Sequence, residues 1–203
     1  TGAVTFIGTV SPAGGNLKEP VTESTKKAAR CFYALEQNRA DQKRYPAVNP
    51  IDSYSKYLEY PEIREFLDEK IEKGWADKVT RAKNIIRQGR DASEQINILG
   101  DDGVPMSYHE TFWKSELLDF VFLQQDAFDA VDSLCPLERQ KYMMNLILDI
   151  CGKQFEFENF EECRNFFKEM INDLRQMNYT EFHSEAFEKY NSQLSKLLEE
   201  NGK

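Results

Sequence analysis

From Pro61 to the C-terminus, apolar residues recur three and four positions apart, with short polar joints between the runs. That spacing lays apolar side chains along one stripe of a helix, and each stripe must be buried against another element. Residues 61–73 put Ile63, Phe66, Leu67 and Ile71 on one stripe and stop at Gly74, a residue type suited to the left-handed turn that ends a helix. A helix over 75–99 turns Val79, Ala82, Ile86 and Ile96 inward, with Gly89 as its weak point. After the joint "GDDGVPM", Ser107 and Glu110 have capping-box spacing ahead of Phe112, Trp113, Leu117 and Val121. Pro136 opens a further helix with Leu137, Met143, Ile147 and Ile150 inward. Asn159 and Glu162 cap the next, which carries Phe160, Cys163, Phe167, Met170 and Leu174. The last follows Thr180 and uses Phe182, Ala186, Tyr190, Leu194 and Leu197.

The first sixty residues obey another pattern. "AVTFIGTV", residues 3–10, is rich in β-branched and aromatic residues and reads as a buried strand, closed by Gly8 and Pro12. No second convincing strand is read, and one strand cannot form a sheet. Its partners are therefore expected elsewhere, and the chain reads as a piece of something larger. Pro20 opens a helix expected to run through "VTESTKKAARCFYALEQNRADQK" with Ala28, Phe32 and Leu35 inward. Residues 44–57, "RYPAVNPIDSYSKY", then break all periodicity. The fold class expected is mainly α: a C-terminal helical bundle over 58–203, preceded over 1–57 by the last strand–helix piece of an α/β domain.

Composition narrows the function. A net charge of -9 and a pI of about 4.9 argue against nucleic acid and against docking on anionic lipid, both of which need clustered Lys and Arg. No apolar run is long enough to cross a bilayer. Cys31, Cys135, Cys151 and Cys163 form no CxxC pair, and only His109 and His183 could assist them, so no zinc site is expected. Scattered thiols of this kind fit a reducing cytoplasm. The sequence holds no GxxxxGK[ST], GxSxG or HExxH. Acid pairs such as Asp101-Asp102 and Glu161-Glu162 read first as caps and solvated helix faces. Two aromatics stand apart, Tyr45 in "RYPAVNP" and Phe128 in "QQDAFD". Both lie in stiff, non-helical stretches that could hold a ring flat against a planar ligand, or pack beneath loops.

Three long blocks carry a resemblance. "IGTVSPAGGNLKEPVTESTKKAARCFYAL", "RYPAVNPIDSYSKY" and "FLQQDAFDAVDSLCPLERQKYMMNLIL" resemble the catalytic A subunit of rotary V/A-type ATPases, from the end of its nucleotide-binding domain into its C-terminal domain. The likeness implies that adenine is held between Tyr45 and Phe128, with Ala127 beside the latter and Phe122 lining the pocket less directly. It also implies that the joint "NILGDDGVPMSYHE" faces the central rotor through Asp101 and Asp102, where the plain reading is an acidic turn. B subunits of the ring, a central-stalk subunit and the upstream part of the same subunit are the implied partners. ATP or ADP with magnesium would be handled by the full-length subunit, in a cytoplasmic head peripheral to the membrane. The phosphate loop, the magnesium-binding acid and the catalytic glutamate lie upstream in the family, so no catalytic residue is expected here. One stacked base contributes about 1–3 kcal/mol, so this chain by itself is expected neither to bind nor to hydrolyse ATP appreciably. Two rival readings stay open: a helical protein-interaction module without a nucleotide role, and an acid–base hydrolase with dispersed carboxylates.

Overall fold

The computed structural model describes residues 2–201; Thr1 and the last two residues of the expected domains lie outside them. Helices α1 (Pro20–Ala28) and α2 (Gln37–Asp41) flank a short strand β1 (Cys31–Phe32), which pairs antiparallel with β2 (Tyr54–Ser55). Six further helices follow: α3 (Pro61–Lys70), α4 (Trp75–Leu99), α5 (Met106–Leu118), α6 (Leu137–Gly152), α7 (Phe160–Asn178) and α8 (Glu185–Asn201). The mainly α class holds, and the core lies among α4 to α8, where Leu117, Ile147, Phe167, Met170 and Phe187 are fully enclosed.

Helix limits follow local chemistry. Gly74 and Gly100 bound α4 with φ of 80° and 81°, a backbone region open to glycine at no steric cost. Asn159 caps α7, its side-chain oxygen accepting from Glu162 N–H at 2.9 Å, while the Glu162 carboxylate reaches back to Glu158 N–H at 2.7 Å. Arg139 is buried and donates to the carbonyls of Met177, Asn178 and Thr180, satisfying the carbonyls that end α7.

Several expectations give way. Residues 3–10 form no strand, and Val4, Phe6 and Ile7 are exposed, because nothing in the described chain pairs with that backbone. The helix expected beyond Pro20 stops at Ala28. Phe32 instead pairs with Tyr54, Ala34 N–H donates to Ser53 Oγ, and Leu35 faces out while Ala34 is buried. Those partners, 19 to 24 residues downstream in contacts such as Ala34–Ser53 and Cys31–Ser55, outweigh local helix propensity. The box at Ser107 and Glu110 is absent, since Pro105 caps α5 and Glu110 pairs with Lys114. The last helix does follow Thr180, but Ser184 caps it, accepting from Phe187 N–H, so the inward face turns to Phe187 and leaves Ala186 exposed. Phe66 and Leu137 also face out.

Gly89 is a contact point and not a weak one. α4 and α5 fold back on each other there, and a Cβ on Gly89 would stand 2.0 Å from Ser115 Cβ. Only glycine admits that approach.

Candidate functional site and hairpin tip

The Phe128 loop is built by its own carboxylates. Asp126 Oδ1 accepts from Phe128 N–H at 2.9 Å, and Asp129 Oδ1 from Val131 and Asp132 N–H, both at 2.8 Å. Asp132 Oδ2 accepts from Asp126 N–H at 2.6 Å, and Gln125 Nε2 donates to Asp132 O at 2.5 Å. Side-chain-to-backbone bonds of this type fix a turn without regular structure. Burial pushes the Asp132 carboxyl above the usual aspartate range. The ring that this loop holds out, Phe128, is 100% exposed, and Ala127 beside it is exposed too. A buried polar group or a bare large apolar one is the informative exception in a folded chain.

Tyr45 arrives on the other loop, 52% exposed, with its hydroxyl 3.4 Å from Ala40 O. The two loops meet, for Gln125 N–H donates to Tyr45 O at 2.9 Å. Tyr45 and Phe128 make no ring–ring contact with each other. Phe122 is placed differently. It is half-buried and lines a cavity of about 500 Å³ between residues 32–55 and helices α4 and α6, together with Pro46, Val48, Trp75 and Leu123. The structure thus brings the Tyr45 and Phe128 segments together and places Phe122 in a cavity that neither of those rings lines.

Four charged residues that the sequence left unassigned tie this region to the bundle. Arg39 donates twice to Asp119, at 2.7 and 3.0 Å. Arg44 donates twice to Glu116, at 2.8 and 3.1 Å, and also to Asp119. The Arg44 guanidinium lies over the Phe120 ring, 4.4 Å from its centroid. Burial works against the charge on Arg44, but hydrogen bonds and attraction from Glu116 and then Asp119 outweigh it and hold the pKa above its ordinary value. Asp119 opens a single π-helical turn, Asp119–Leu123, that continues α5 into the Phe128 loop. Asn178 supports that turn by donating to Val121 O at 2.8 Å. The one sequence hint was an aspartate set in the apolar run "LLDFVFL".

Asp101 and Asp102 sit in a 3₁₀ turn, Asp101–Gly103, at the tip of the α4–α5 hairpin, both exposed. A buried His109, stacked on Phe160, holds the turn with a ring nitrogen 2.9 Å from Asp101 O. Ile98 and Leu99 are exposed beside it, and the sequence signal for them was apolar residues lying off the inward stripe. Among the described residues no three His, Cys, Asp or Glu converge as metal ligands. Cys151 and Cys163 are pushed up to about 12 by burial and stay protonated, which removes them as nucleophiles. No described helix is long and apolar enough to cross a membrane.

Comparison with known proteins places the chain. The family model described as the C-terminal domain of V and A type ATP synthase matches residues 64–183. A second, the nucleotide-binding domain of the ATP synthase alpha/beta family, matches residues 1–55. Over 198 residues the chain is 40% identical to the V-type ATP synthase alpha chain of Chlamydia muridarum (strain MoPn / Nigg) and 38% identical to that of Chlamydia abortus (strain DSM 27085 / S26/3). It is 39% identical to that of Chlamydia pneumoniae. Each alignment covers 98% of this chain and 33% of the relative, so the chain spans about a third of their length. Among solved structures, the ATP synthase subunit NeqB from Nanoarcheaum equitans superposes with a TM-score of 0.53 at 17% identity, over 70% of this chain and 33% of that one. At that identity the likeness speaks for the fold.

Proposed function

The chain belongs to the family of V- and A-type ATP synthases and corresponds to the C-terminal region of the alpha chain, and on that premise we propose that it closes the adenine end of an ATP site and links that site to a rotor. The carrying observation is Phe128, wholly exposed on a loop made rigid by three aspartates and bonded to the Tyr45 segment through Gln125. A planar base fits between such rings because stacking needs a flat face held still and no base-specific hydrogen bond. Tyr45 and Phe128 are the stacking pair, Ala127 leaves room beside the ring, and Phe122 lines the pocket less directly.

This chain's residues bind and orient the base. The phosphates and magnesium, on which phosphoryl transfer depends, are handled by the upstream part of the same subunit. Residues 1–57 close the nucleotide-binding domain and residues 58–203 form a helical lever. Its tip, with Asp101 and Asp102 flanked by Ile98 and Leu99, meets the central stalk, while B subunits alternate with the subunit in a cytoplasmic ring.

In the full-length subunit assembled with its partners, Tyr45→Ala and Phe128→Ala each raise KM for ATP about tenfold, as loss of one stacked ring should, and leave kcat nearly unchanged because the ring binds substrate and transition state alike. Tyr45→Phe and Phe128→Tyr keep the ring and the wild-type KM. An unaltered KM in both alanine variants would leave the exposed loops as a protein-docking surface.

A further inference from the structure

Resting on that reading, the inference concerns what sets the spacing of the two base-facing loops. Both start from one cluster of charge in which Arg39 and Asp119 are buried and Arg44 and Glu116 are half-buried. Tyr45 directly follows Arg44, whose two terminal nitrogens are gripped by Glu116 at 2.8 and 3.1 Å and by Asp119. The Phe128 loop begins at Gln124, where the π-turn opened by Asp119 ends. One carboxylate, Asp119, therefore anchors the arginine before one loop and starts the turn that leads into the other. Arg39 also donates to both oxygens of that carboxylate, at 2.7 and 3.0 Å.

A second fixing point lies further out, where Gln125 N–H donates to Tyr45 O at 2.9 Å. Two separate attachments prevent the Tyr45 segment from pivoting about either one. The grip is also directional. A planar guanidinium bound in two-point fashion fixes orientation as well as distance, which a lysine ammonium does not. The pair Arg44–Glu116 is mostly shielded, with side-chain exposures of 16% and 15%, so it escapes the screening that weakens surface ion pairs.

We propose that Arg44, gripped by Glu116 and Asp119, is a positioning residue that holds the Tyr45 and Phe128 loops in the register a purine base requires. Glu116 lies on α5, whose other end meets the turn at Asp101 and Asp102. A displacement of α5 along its axis thus moves the grip directly.

The test reads Gln125 amide exchange in the wild-type chain and in Arg44→Lys and Glu116→Gln, with the Leu174 amide in the α7 core as the internal reference. The grip predicts that Gln125 exchange quickens about tenfold in each variant, the effect of losing one charge-assisted hydrogen bond, while Leu174 exchange is unchanged. In the assembled full-length subunit the same variants raise KM for ATP at constant kcat. Unchanged Gln125 protection overturns the proposal, and equal acceleration at Leu174 reduces Arg44 to a stability role. Glu116→Gln preserves side-chain shape and serves where an Arg44 variant does not fold. Should Gln125 protection fall while Tyr45→Ala and Phe128→Ala leave KM untouched, the grip stands and the base-contact reading fails.

Discussion

Helices α4 to α8 hide Leu117, Ile147, Phe167 and Phe187 from solvent, whereas the segment ahead of them leaves Phe6 92% and Leu35 76% exposed, along with Tyr33 and Tyr45. Burial of apolar surface organises the bundle. The leading segment adds directional bonds to the packing of Ile51 on that core: Lys83 Nζ on α4 donates to Ser53 O at 3.0 Å, and Arg39 and Arg44 grip Asp119 and Glu116. A region held by a few directional bonds can shift as a unit while a close-packed core resists deformation.

Cutting the bundle should have the largest effect. Phe167 is fully enclosed and packs edge-on against Phe155 and Phe166, so Phe167→Ala should cost about 3–5 kcal/mol of stability, read by denaturant unfolding. Gly89→Ala comes next, forcing α4 and α5 apart at Ser115 at a cost of about 1–3 kcal/mol. A matching loss of helical signal at lower denaturant would place a close α4–α5 contact at Gly89. Leu35→Ser, in the leading segment, should stay within about 0.5 kcal/mol of wild type. Should Leu35→Ser destabilise as much as Gly89→Ala, the two regions would share one core and the comparison would break.

How much of this was readable in the residues depends on the range of the interactions. α4 was legible to both ends because its glycine boundaries and inward stripe are local signals, and α7 likewise through Asn159. The strand read at residues 3–10 and the long helix expected after Pro20 failed because their outcome depends on distant partners, present for Phe32 and lacking for Phe6. Tyr45 and Phe128 could be singled out as aromatics off any stripe. Their meeting through Gln125, 80 residues from Tyr45 in sequence, could not. The charged grip was hidden for a physical reason, since arginines and acids pattern as solvated surface, and nothing local marks Arg39 and Arg44 as partners of Asp119 and Glu116. Gly89 misled in the opposite sense, because helix propensity ignores what lies across the interface.

The most direct measurement compares, in the assembled full-length subunit, the affinity for ATP with that for ribose triphosphate, which lacks the base, in wild type and in the Tyr45→Ala/Phe128→Ala double variant. A base clamp predicts that ATP loses roughly 10- to 100-fold or more in affinity, the worth of one to two stacking faces, while ribose triphosphate binds both proteins equally. Equal losses for the two ligands, or no loss of ATP affinity at all, would contradict the assignment of these rings to adenine.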